Sequence, residues 1–88
     1  MTQRDATVVN PLGLHARPAA QLVKLASTFA SEIQLMKDGL EVNGKSIMGV
    51  MMLAAECGSA ITVQAVGPDE ADAVAALSEL IASGFGEA

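Results

Sequence analysis

Apolar spacing along this chain switches repeatedly between two residues and three or four, and that switching limits the folds open to it more than any other feature. Between Thr2 and Val9 the pattern alternates, with Ala6 and Val8 on one face and Thr7 and Val9 on the other, which predicts a strand covered on one side. Asn10-Pro11-Leu12-Gly13 interrupts it. From Ala16 onward Ala19, Leu22, Val23, Ala26 and Phe29 recur at helical steps, with Pro18 in the first turn, where a missing N–H is harmless. Glu32 to Lys37 returns to alternation with Ile33 and Leu35 inward. Asp38-Gly39 is a strong two-residue hairpin signal, and Leu40 and Val42 continue into a second short strand.

Ser46 is a good N-cap for a short helix predicted from Ile47 to Leu53. Ile61, Val63 and Ala65 alternate with Thr62 and Gln64 in a last strand. Gly67-Pro68-Asp69-Glu70 then opens a helix whose Val74, Leu77, Leu80 and Ile81 face the core. Gly84 is expected to cap that helix, and Phe85 to Ala88 to fray. The order is strand, helix, strand, strand, helix, strand, helix. With one sheet of four strands, burial has to come from helices on one face, so a two-layer α+β domain over residues 1–88 is predicted, with no repeat or linker to mark a second one.

Eighty-eight residues leave no room for a deep substrate cleft, so a relay or binding unit acting through its surface is expected rather than a stand-alone enzyme. A net charge of −5, two Phe and no Trp or Tyr disfavour nucleic acid, which calls for basic stripes and stacking aromatics. The partners expected are proteins. The start Met1-Thr2-Gln3-Arg4-Asp5 lacks the pattern of a secretory signal, and the apolar run from Ile47 to Ala55 is far short of the roughly 20 residues of a membrane span, so a cytoplasmic chain with no membrane partner is expected. Cys57, the only cysteine, excludes an internal disulfide and is read as a small apolar filler.

The chemically informative stretch is Asn10-Pro11-Leu12-Gly13-Leu14-His15-Ala16-Arg17-Pro18-Ala19-Ala20, which puts the only histidine where a loop meets a helix. A free imidazole titrates near about pH 6.5, so near neutrality it offers an unprotonated nitrogen to an electrophilic phosphorus. A dianion placed there would meet the unpaired backbone N–H groups of Ala16 and Arg17 and the charge of the Arg17 side chain. On these residues alone the segment is an anion site, and an ordinary capping or surface histidine fits it too. No acid orienter for His15 is identifiable in the sequence.

Gly13-Leu14-His15-Ala16-Arg17-Pro18-Ala19 resembles the active-site signature of HPr-type histidine phosphocarriers, and the order of elements matches theirs over essentially the whole chain. The resemblance implies an open-faced β-sandwich, a four-stranded antiparallel sheet covered on one face by three helices. It further implies phosphorylation of His15 on Nδ1 by phosphorylated enzyme I of the bacterial phosphotransferase system, and delivery to a histidine of enzyme IIA domains. Arg17 would assist, and no metal or small cofactor is implied. Gly44-Lys45-Ser46-Ile47-Met48-Gly49 resembles the family's regulatory segment, which implies Ser46 as a target of HPr kinase/phosphorylase where the host has one.

Ile47, Met48, Met51 and Met52 exceed what one face of a two-turn helix can bury, and adjustable thioethers suit a surface that meets several partners. In the family this helix and the first form the docking face, which here adds Leu12, Ala20, Lys24 and Ser27. Asp69, Glu70 and Asp72 are read as partners of a helix dipole, not a metal cluster. A monomer is expected, since no long apolar stripe is left uncovered. A sugar-transport carrier and a nitrogen-related regulatory carrier both remain open. A binding module acting only through Ser46 is disfavoured by the presence of His15.

Overall fold

The computed structural model describes residues 1–87. Its elements are β1 (Thr2–Thr7), α1 (Ala16–Ala26), β2 (Glu32–Lys37), β3 (Leu40–Asn43), α2 (Ile47–Met52), β4 (Ala60–Val66) and α3 (Glu70–Ala82), followed by a 3-10 turn over Gly84–Gly86. The strands form one antiparallel sheet in the order β1-β4-β2-β3, with the three helices on one face, the open-faced sandwich expected.

Strand alternation sets which face is covered. Ile61, Val63 and Ala65 of β4 and Ile33 and Leu35 of β2 point inward and are buried, while Thr62, Gln64 and Gln34 lie on the other side. The register pairs Leu35 with Val63 and Ile33 with Ala65, so the two central strands stack apolar neighbours under the helices. Leu22 of α1, Val50 of α2 and Leu77 and Ile81 of α3 close the core from above. Truncating Leu22, Leu77 or Ile81 to alanine should cost about 2–5 kcal/mol.

The predicted elements differ from those observed mainly at their ends. β1 stops at Thr7, two residues early, although Val8 still donates its N–H to the Ser59 carbonyl at 2.8 Å. α2 ends at Met52 with Leu53 as its C-cap. Val23, Phe29 and Leu80 are only partly buried, and Leu40 is exposed.

Two expectations fail outright. Cys57 is not a core filler: it is exposed in the loop before β4, with Sγ 3.7 Å from the Val9 carbonyl. Asp69 sits at the N-cap of α3, where a dipole partner is expected, but makes no side-chain cap bond. Its carboxylate instead accepts from the N–H groups of Ala30 and Ser31 and from the Ser31 hydroxyl, fastening the loop before β2, and these bonds outweigh burial and hold its pKa below the usual value. The tail does not fray as far as it is described. Gly84, Phe85 and Gly86 all lie at positive φ, and the backward turn buries the Phe85 ring to 3% exposure; Ala88 lies outside the described residues.

No helix of the described residues is long and apolar enough to cross a membrane.

Candidate functional site

His15 is the N-cap of α1. Its backbone is extended, at φ −86° and ψ −170°, and its carbonyl accepts the first intrahelical bond from the Ala19 N–H at 2.9 Å. The loop that delivers it is held tightly. Leu14 donates to the Ala55 carbonyl at 2.7 Å, and Gly13 sits at φ +69° so close to the 55–56 backbone that a Cβ there would stand 2.6 Å from the Ala55 oxygen. Only glycine fits both the conformation and the space.

Unlike most polar N-cap residues, His15 makes no side-chain capping bond. Pro18 has no N–H to give, and the N–H groups of Ala16 and Arg17 find no acceptor among the described residues, so the positive end of α1 opens to the surface beside the ring. Arg17 lies exposed on that first turn, and the His15 side chain keeps 36% of its surface accessible. An anion bound to the imidazole therefore meets backbone donors, the helix dipole and a guanidinium, with solvent able to leave.

The imidazole has one partner that sequence reasoning missed. Nε2 lies 3.0 Å from Oε2 and 3.3 Å from Oε1 of Glu87, 72 positions away in the chain. Glu87 is itself anchored by buried Asn10, whose Nδ2 donates to Glu87 Oε1 at 3.0 Å and to the Gly13 carbonyl at 2.7 Å. Burial raises the Glu87 pKa, but bonds from Asn10 and His15 and the charges of His15 and Arg17 outweigh it and leave it lowered. The carboxylate that meets the ring thus comes from the tail, not from the local sequence. The only clue was Gly84-Phe85-Gly86, an aromatic anchor between two flexible residues.

Ser46 is the N-cap of α2 and does close it: its Oγ accepts from the Gly49 N–H at 3.1 Å. The other docking candidates singled out from the sequence lie on the surface. Leu12 is 76% and Met48 79% exposed, and Ile47, Met51, Met52, Ala20, Lys24 and Ser27 are exposed as well. Val50 is the one residue of α2 that turns fully inward.

Against known proteins, residues 2–83 match the family model described as the PTS HPr component phosphorylation site. The chain belongs to the HPr family. A phosphocarrier protein HPr from Cupriavidus necator is 54% identical, with 99% of this chain and 98% of that one covered. The crystal structure of HPr-C-His from Thermoanaerobacter tengcongensis superposes with a TM-score of 0.95 at 46% identity, covering 100% of this chain and 99% of that one. A crystal structure of an HPr dimer from the same organism is also similar, with a TM-score of 0.79 at 47% identity over 99% of this chain and 100% of that one. Membership makes the chain an HPr phosphocarrier of the phosphotransferase system. The expectation of a monomer is not settled by relatives that include a dimer.

Proposed function

We propose that His15 is the residue that carries the phosphoryl group, on Nδ1, receiving it from phosphorylated enzyme I and passing it to a histidine of enzyme IIA domains. The observation that carries this reading is the geometry of the α1 cap. Nδ1 has no protein partner among the described residues, whereas Nε2 is engaged, and the N–H groups of Ala16 and Arg17 stand beside it without acceptors.

The step balances without a cofactor. The Nδ1 lone pair attacks phosphorus, the donor's N–P bond breaks, and its electron pair returns to the donor imidazole. A loose transition state of this kind asks for alignment and charge screening, which the α1 N-terminus and Arg17 supply while partner proteins enclose the group. Reversing the same step onto an acceptor histidine discharges the carrier. Docking would use the exposed surface formed by Leu12, Ala20, Lys24 and Ser27 with Ile47, Met48 and Met51, and phosphorylation of Ser46 by HPr kinase/phosphorylase would place a dianion inside it. The setting is the cytoplasmic side of sugar uptake, with the carrier acting as a monomer.

The test is intact-mass analysis after incubation with phosphoenolpyruvate and enzyme I. Wild type is expected to gain one acid-labile phosphoryl group and His15→Ala none. Uptake by His15→Ala, or none by wild type with an active cognate enzyme I, overturns the assignment.

A further inference from the structure

We propose that Glu87 is a positioning residue for phosphoryl transfer, holding the His15 ring with its proton on Nε2 so that Nδ1 is the nucleophile throughout the cycle. This rests on the reading of His15 as the phosphorylated residue.

An ionised carboxylate only accepts hydrogen bonds, so a ring nitrogen 3.0 Å from Oε2 is stable there only if it carries the proton. A bare Nε2 lone pair facing that oxygen would be repelled. The Asn10 amide cannot be turned the other way, because its Oδ1 would then face the Gly13 carbonyl and the Glu87 carboxylate, two acceptors; the present orientation stands even though it leaves Oδ1 buried without a partner. Both ends of the tether are therefore determined by donor and acceptor chemistry. Among the described residues the charged side chain facing this pair is Arg17, which favours the carboxylate form.

The tail's path is built to deliver this carboxylate. Phe85 is held at φ 58°, in the left-handed region that a β-carbon disfavours, between glycines at φ 75° and 74°. Such strain persists where surrounding packing over-determines it, and here the buried ring supplies that packing. Glu87 follows directly, with 21% of its side chain exposed.

The contact fits the electron flow of the transfer. When the Nδ1 lone pair bonds to phosphorus, positive charge spreads over a ring that keeps its Nε2 proton. The carboxylate stabilises that charge without taking the proton. When the phosphoryl group leaves, the electron pair returns to Nδ1 and the ring is again neutral, so no proton has to be exchanged at either step.

Glu87→Gln tests this, because an amide keeps the size of the side chain but donates as readily as it accepts and so removes the bias between ring nitrogens. In the full-length, 15N-labelled, unphosphorylated protein at about pH 8, wild type is expected to show one ring tautomer, protonated on Nε2, and the variant an exchange-averaged pair. In the enzyme I assay the variant should keep its KM and lose about threefold to tenfold in kcat, as for one partly exposed charged contact. Glu87→Leu, which has no acceptor, should give the same pattern and guards against an amide that rebinds. Unchanged ring signals overturn the proposal. So does an unchanged kcat with altered ring signals, or a loss of kcat with unaltered ring signals, which would place Glu87 against the partner instead. Failure of the parent reading is separate: it shows as phosphoryl uptake by His15→Ala.

Discussion

His15 and Ser46 occupy the same structural position, the extended N-cap of a helix, and use it in opposite ways. Ser46 turns its oxygen onto the Gly49 N–H and completes its own helix. His15 turns its ring away, onto Glu87, and leaves the N–H groups of Ala16 and Arg17 exposed beside it. A capping side chain that satisfies the helix stabilises the fold. One that does not leaves the helix end free for an anion, and stability must come from elsewhere, here from the packed loop around Gly13 and Leu14.

Substitutions at and around the two caps test that contrast. The largest effect is expected at Arg17: if its guanidinium screens the transferred group as proposed, Arg17→Ala should lower kcat/KM in enzyme I-dependent phosphorylation by about 10–100-fold, with the melting temperature little changed because the side chain is exposed. A loss in single-digit fold would mean the backbone donors act nearly alone. Next, Met48→Glu puts a carboxylate on the exposed crest of α2 and should weaken binding to enzyme I by roughly tenfold, read by titration calorimetry, without unfolding. Unfolding would show that the side chain belongs to the core.

The comparison is sharpest in stability. Ser46→Ala should destabilise the domain by about 1 kcal/mol in urea unfolding, the usual value of a lost cap, whereas His15→Ala should change it by no more than about 0.5 kcal/mol. Equal losses would erase the distinction between the two caps. Ser46→Asp should keep the cap and still slow phosphorylation by enzyme I.

The smallest effect concerns the start of α3, remote from both caps. Glu70 accepts from the Thr2 hydroxyl at 2.6 Å and pairs with the N-terminal amine at 2.9 Å, which lowers its pKa from 4.5 to about 2. A depressed carboxylate pKa stabilises the fold above the unfolded value and ceases to do so as pH falls through the folded one. Melting temperature should therefore drop between about pH 4.5 and 2, and Glu70→Gln should flatten that part of the curve relative to wild type.

The element order, the covered face of each strand and the hairpin at Asp38-Gly39 were legible in the residues alone, because periodicity and turn chemistry are local and each residue's neighbours lie within a turn or a strand. So were the places of His15 and Ser46 at helix starts, for the same reason. What surrounds them depends on how the whole chain packs. Glu87 reaches His15 across 72 positions, Asn10 links that carboxylate to the Gly13 loop, and Asp69 leaves its own helix to hold Ala30 and Ser31. Cys57 read as apolar and proved exposed for a like reason. Polar contacts of this kind follow from where the packed core delivers a side chain, and the core is formed by all the elements together, so no local pattern encodes them.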